Sequence, residues 1–412
     1  MSTTRKYELY DQAFYRHAHE VFAQMRREDP VFQQPGLDGK TPIWYVTRYT
    51  EVEQVLRDDR RFVRDPALAL SPEVLEKIFE GSDSRVMAMT NNHMLNKDGE
   101  DHHRLRMLVS KAFTRPVIEG MRPRIREIAE ELLDAIENRG QMELVSEYAF
   151  PLPIIVIAQL LGIPARDRDK FRTWSNAVVT PALTEEAQQE SARLLREFVA
   201  YMQDLVAKRR ENPGDDLLSG LIEVEEQGDR LDESELFSML TLLIVAGHET
   251  TVTLIGNAVL ALLRNPSQLQ TVIDQPGGMV QAVEELLRYD SPVERALTRW
   301  VAQDVELAGQ QLQRGDLIIV VLGSANRDEN QFENPTRLDL RRDPNRHLAF
   351  GKGAHYCMGS PLARLEAEIA LNALFQRFPD LALDIETEDL EWREVPLFRS
   401  LKQLPVRWTP KL

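Results

Sequence analysis

Between Asp232 and the pair Asn265-Pro266 runs a stretch that carries helical start and stop signals but almost no polar face. Asp232 and Glu235 have the spacing of a capping box, in which each side chain accepts from the other residue's backbone N–H. Asn265-Pro266 supplies the stop. At 1.5 Å per residue such a helix is about 50 Å long, enough to cross a large domain. Its middle, MLTLLIVAGHETTVTLIG, is apolar on nearly every side and has to be buried. The strictly apolar run is too short for a membrane span. A helix that crosses the whole body predicts one domain over residues 1–412.

The rest of the chain fits such a body. Hydrophobic residues make up 43% and charged residues 28%, an ordinary balance for a soluble globular protein. Helical periodicity dominates from Arg104 onward, as in 117–140, closed by Gly140, and 189–212, closed before Pro213. Strand patterns are confined to TPIWYVTRY and to DVELAGQQLQRGDLIIVVLG, a hairpin followed by a buried strand. The fold class is mainly α with a small β portion. A formal net charge of −16 argues against nucleic acid as a partner. The polar N-terminus has neither a signal peptide's apolar run nor an anchor, and one cysteine excludes an internal disulfide. These features predict a cytoplasmic, prokaryotic protein with no membrane partner.

That one cysteine, Cys357, sits in HLAFGKGAHYCMGSPLARLE among Gly351, Gly353 and Gly359. A helix follows it, and free N–H groups at a helix start favour a thiolate, as do Lys352 and a protonated His355. The segment alone leaves three readings: a small buried hydrophobe, a Cys–His nucleophile, or the thiolate ligand of a haem iron. Only the last needs the flanking space that the glycines provide.

Gly247, Glu249, Thr250 and Thr251 interrupt the apolar middle of the long helix. Uncompensated polar groups there cost about 1–3 kcal/mol each, and a mid-helix glycine about 1 kcal/mol. They point to a groove for a small polar ligand such as dioxygen with water. A threonine bonding back to a helical carbonyl and bending the helix accounts for part of the same pattern. In DGEDHHRLR, His102 and Arg106 are four apart on one helix face and suit a pair of carboxylates, with Arg299 and His355 available to complete the set. Glu285 and Arg288 read as a structural ion pair.

Taken in order, these motifs resemble the cytochrome P-450 family of haem-thiolate monooxygenases. FGKGAHYCMG matches its cysteine loop, Phe-Gly-x-Gly-x-His-x-Cys-x-Gly; AGHETT matches its oxygen-activating helix; Glu285 and Arg288 match its Glu-x-x-Arg pair. Arg337, in NPTRLDL, resembles the arginine that joins that pair, with Leu338 in place of the usual Phe. DGEDHHRLR is similar to the helix that meets the haem propionates, although Gly99 and Glu100 replace two prolines.

The resemblance implies a long buried helix over haem b (iron protoporphyrin IX), with Cys357 as the iron ligand. Thr250 would steady the activated oxygen and Glu249 would relay protons. His102, Arg106, Arg299 and His355 would hold the propionates, Ala246 and Gly247 would line the oxygen pocket, and Phe350 and Gly351 would pack beside the thiolate and the ring. One atom of O2 would enter a C–H or C=C bond of a hydrophobic small molecule. Electrons would come from a separate ferredoxin or flavodoxin with its reductase, docked by Arg104, Arg341, Arg342 and Lys352. The substrate pocket is expected along 63–95, 171–183, 242–250 and 293–297 and near Phe398, with Glu294 and Arg295 at its edge. A peroxide-driven enzyme of the same fold is the nearest alternative, and a Cys–His hydrolase a more distant one. His17 and His19 read as solvated, and His248 as turned from the reacting centre.

Overall fold

The computed structural model describes residues 5–78, 84–164, 167–226 and 231–410. Helix dominates, and the short strands gather into small sheets. In chain order the strands are β1 (Val31–Pro35), β2 (Pro42–Val46), β3 (Phe62–Val63), β4 (Gln141–Glu143), β5 (Arg299–Val301), β6 (Val305–Leu307), β7 (Gln310–Leu312), β8 (Leu317–Val320), β9 (Ala382–Leu383) and β10 (Pro405–Arg407). The main sheet has the order β1-β2-β8-β5-β3, with β2 and β8 parallel. The predicted hairpin is β6–β7, turning at Ala308 and Gly309 with φ of 49° and 79°, and the predicted buried strand is β8. Positive φ at both turn residues matches the twist of the flanking strands.

The core helix, Glu233–Leu263, is capped as its sequence predicts. Glu235 N donates to Asp232 at 2.8 Å, and Asp232 N to Glu235 at 3.0 Å. With a mean hydropathy of 1.4 in its most apolar window, the helix is long and apolar enough to cross a bilayer, which corrects the shorter estimate from the sequence. Instead 72% of that window is buried inside the protein, against the helices Pro151–Leu160, Met279–Tyr289 and Ser360–Arg377. The predicted helix over 117–140 is in fact two, Arg115–Gly120 and Arg122–Asp134. Pro123 lacks an N–H and favours the first turn of a new helix over the middle of an old one. Gly140 closes the segment at φ 72°, as expected.

A buried ion cluster fixes the loops that lead to Cys357. Arg288 grips both oxygens of Glu285 at 2.8 Å, and the pair is almost wholly buried. Its remaining donors reach the carbonyls of Asn326 and Pro335 at 2.9 Å and of Arg337 at 3.3 Å. The third charge differs from expectation. Arg342, not Arg337, contacts Glu285, at 3.1 and 3.2 Å. Arg337 contributes its carbonyl while its side chain is exposed, because the chain turns after Leu338 and brings Asp339 N to Glu285 at 3.0 Å. Leu338 is buried and acts through packing alone.

Candidate active site

The core helix is buried along most of its length, yet its middle carries an accessible stripe. Leu242, Val245 and Thr250 are half-buried and Ala246 is exposed, while His248 and Glu249 beside them are buried. A stripe at this spacing on a central helix is the wall of an internal space. Leu297, 38% exposed, is an apolar group of the predicted pocket left uncovered by protein. Thr250 donates back to Ala246 O at 3.2 Å, the local bond that the sequence offered as one explanation, and the helix continues through it. Gly247 has a packing reason for its missing side chain: a Cβ there would lie 2.9 Å from Ile157. Ala246 is the most exposed residue of the stripe, and Gly247 beside it is half-buried.

Cys357 precedes the Ser360–Arg377 helix, close to the predicted start. Its amide donates to Phe350 O at 3.0 Å, closing the loop on itself. The thiol is exposed by area, but burial pushes it up from its ordinary value, so the sulfur lies in a recess walled by protein. The amides of Gly359 and Ser360 and the cations Arg106 and Arg364 pull the other way. These replace the expected contributions of Lys352 and His355. Lys352 lies 3.8 Å from Glu53, and His355 contacts Asp98 at 3.2 Å. No base touches Cys357 among the described residues, and a thiol pushed up is a poor nucleophile. The Cys–His hydrolase reading loses its support. Gly351 and Gly353 adopt φ of 69° and 75°, and a Cβ on Gly353 would lie 2.4 Å from Leu56 O. Gly353 thus clears space for backbone.

The four predicted carboxylate-binding residues fall into one neighbourhood. The rings of His102 and His355 are 4.3 Å apart, Arg106 reaches Tyr356 O at 2.8 Å, and Arg299 on β5 donates to Phe62 O at 2.9 Å. Burial lowers His102 to about 4, helped by the charge of His355 and Arg106. Burial likewise lowers Arg299, with Asp98 opposing. Asp98 faces this set, and it is also held by the amides of Arg64 and Asp65 at 2.6 and 2.7 Å. Two arginines and two histidines gathered on one side of Asp98 fit a flat group that brings two carboxylates. Arg64 and Asp98 organise this corner and were missed from sequence. Asp98 opens the DGEDHHRLR motif, whereas Arg64 carries no local signal.

Behind the stripe, Glu249 faces away from Ala246. It meets Arg393 at 2.9 Å and His248 at 3.5 Å, and Arg393 continues to Asn176 at 2.8 Å. Burial pushes Glu249 up, but His248 and Arg393 outweigh it and hold the carboxyl at about 2. Glu249, Arg393 and Asn176 line a cavity of about 190 Å³ with Arg172, Thr253, Asn257, Ser400 and Lys402. Asn257 Oδ1 and Ser400 Oγ are buried there without a partner, which suits ordered water at ~30 Å³ per molecule. His248 Nδ1 is 2.7 Å from Ile244 O, turned into its own helix as predicted.

Other expectations change. Glu294 and Arg295 are fully buried, and Arg295 sits over the rings of Tyr10 and Phe14, so neither guards a pocket edge. Of the proposed docking cations, Arg104 pairs with Glu235 and Asp101, and Arg342 with Glu285. Internal acids claim them; Arg341 is exposed, and the Lys352 side chain is 42% exposed. His19 lies 3.4 Å from Asp290, and burial lowers it to about 3, so it is part of the interior rather than solvated. His17 is exposed as expected. The pocket segment at 79–83 lies outside the described residues.

The cytochrome P450 family model matches residues 279–390. Cytochrome P450 107B1 of Saccharopolyspora erythraea is 45% identical over 400 residues, covering 97% of this chain and 96% of its own. The polyketide biosynthesis cytochrome P450 PksS of Bacillus subtilis is 43% identical, covering 95% and 96%. Among solved structures, myxobacterial cytochrome P450 CYP267B1 in complex with myristic acid superposes with a TM-score of 0.92 at 41% identity, covering 97% of this chain and 98% of its own. Likeness of this depth along nearly the whole chain, joined to the recessed cysteine and the accessible core-helix stripe, places the chain in the cytochrome P450 family, as a haem-dependent monooxygenase of hydrophobic small molecules.

Proposed function

We propose that haem b is held by Cys357 through iron and by His102, Arg106, Arg299 and His355 through its propionates, within one domain spanning the 412 residues. The observation that carries this is Cys357 at the start of the Ser360–Arg377 helix, in a loop closed by its amide on Phe350 O, with Arg106 on the adjacent carbonyl of Tyr356. Phe350 and Gly351 close the loop beside it. Haem supplies oxygen activation and one-electron chemistry. This chain's residues hold it, exclude bulk water and manage protons. Ala246 leaves room at the stripe. Thr250 presents its hydroxyl there, braced by Ala246 O, and Glu249 relays protons from the polar cavity behind the helix.

The substrate is a largely reduced carbon skeleton of the polyketide or fatty-acyl kind. Support comes from the apolar lining at Leu242, Val245, Ala246 and Leu297, and from relatives named for polyketide biosynthesis and seen with myristic acid. Electrons arrive in the cytoplasm from a separate ferredoxin or flavodoxin and its reductase, with Arg341 and Lys352 as the available docking cations. Turnover under ¹⁸O₂ with such a partner tests the reading. One ¹⁸O atom should enter the product and the other should leave as water. Product free of ¹⁸O would overturn it, and equal turnover from peroxide without a reductase would assign the peroxide-driven alternative.

A further inference from the structure

Arg364 stands one turn into the helix that follows Cys357 and is fixed on three sides. Its Nε and Nη2 donate to the two oxygens of Glu284 at 2.6 and 2.9 Å. Its Nη1 approaches Tyr356 Oη at 3.4 Å. Its guanidinium carbon lies 4.4 Å from the ring centroid of Phe350, the residue whose carbonyl accepts from the Cys357 amide. Glu284 is fixed in turn. His347 Nδ1 accepts from Ala349 N at 3.2 Å, so Nε2 carries the proton and donates to Glu284 at 3.0 Å. Burial pushes the Glu284 carboxyl up, but His347 and Arg364 outweigh it and hold it ionised, at about 2.

A forked salt bridge held over an aromatic ring fixes long side chains in one geometry, which costs side-chain entropy. Here it places a permanent positive charge against Phe350 and its counter-charge on the Met279–Tyr289 helix. Arg364 thus touches two residues next to Cys357: Tyr356, its chain neighbour, and Phe350, whose carbonyl holds its amide. An electron added to a thiolate-bound iron makes the centre more negative, and a nearby cation stabilises that state while a nearby anion opposes it.

We propose that Arg364 is a positioning residue that raises the reduction potential of the Cys357-bound cofactor, with Glu284 as the opposing charge that sets how far. The proposal rests on the assignment of Cys357 as the iron ligand. It predicts effects of opposite sign from the two halves of one salt bridge. Arg364→Gln should lower the one-electron reduction equilibrium constant about tenfold, a shift of about −59 mV. Arg364→Lys, which keeps the charge, should stay near the wild type. Glu284→Gln should shift the potential upward.

The measurement is a mediated spectroelectrochemical titration of the haem-loaded full chain at low salt, with the reduced carbon monoxide spectrum recorded for each variant. Opposite shifts with the thiolate-type spectrum intact establish the proposal. An unchanged potential in Arg364→Gln with that spectrum intact overturns it, as do shifts of the same sign in Arg364→Gln and Glu284→Gln, which would mark a disturbed loop rather than a field. If Arg364→Gln does not hold haem, Glu284→Gln decides alone: an upward shift supports the proposal and no shift overturns it. A wild type without the thiolate-type spectrum would instead remove the assignment of Cys357 itself.

Discussion

Glu366, two turns into the helix after Cys357, is a carboxylic acid buried in the core. Burial pushes it up to about 8, and the Thr251 hydroxyl eases its ionisation only in part. In the unfolded chain an ordinary glutamic acid loses its proton near 4.5, whereas the native protein holds it until near 8. Between those values the unfolded state binds fewer protons, so this group makes the protein less stable as pH rises. Glu366→Gln removes the dependence. Its advantage over the wild type should grow by on the order of 3 kcal/mol from pH 5 to pH 8, or ~3 °C in melting temperature for a chain of this size. Melting curves of both proteins at the two pH values check this, and parallel curves would contradict it. The residue scale was also where the sequence was most legible. Cys357, Thr250, Glu249 and His102 stand at positions fixed by short local spacings. The partner of Glu249 was hidden, because Arg393 lies 144 positions away in the chain.

At the scale of elements, the Met279–Tyr289 helix is held to the segment before the cysteine loop by Glu285, Arg288 and Arg342. Glu285 keeps Arg288 when Arg342 is removed, so Arg342→Ala loses charge-assisted hydrogen bonds, should destabilise by about 1.5–3 kcal/mol and should loosen haem retention. Arg337→Ala should stay within about 0.5 kcal/mol, as exposed substitutions do. Denaturant unfolding of the two variants, with haem retention followed by its Soret band, separates them, and a larger loss from Arg337→Ala would contradict the assignment. The motif reading chose Arg337 because sequence supplies an arginine at the right distance along the chain. It does not show the turn after Leu338 that sends one arginine outward and brings another in. The split of 117–140 has a similar origin, since the apolar period runs through Met121 and Pro123 while the backbone does not. The core helix was legible because its capping box and its stop lie at its own ends.

Across the whole molecule, two levels of organisation meet at the cysteine. A large apolar cluster surrounds the core helix, and a smaller one underlies the main sheet, with Leu348 of the cysteine loop packed into the smaller and Ala349 into the larger. The mainly helical class was readable from periodicity. Motifs brought His102, Arg299 and His355 together, but Arg64 and Asp98 beside them were not readable, because β3, β5 and the Gly99–Ser110 helix meet only through the sheet order and long-range bonds to Asp98. The central claim is that this assembly positions Cys357 as the thiolate ligand of haem iron. The most direct test is the absorption spectrum of the dithionite-reduced, haem-loaded protein with carbon monoxide, for the wild type and for Cys357→His. The account predicts a Soret band displaced far to long wavelength in the wild type and an undisplaced one in the variant. An undisplaced band in freshly reduced wild type, or a displaced band that survives the loss of Cys357, would contradict it.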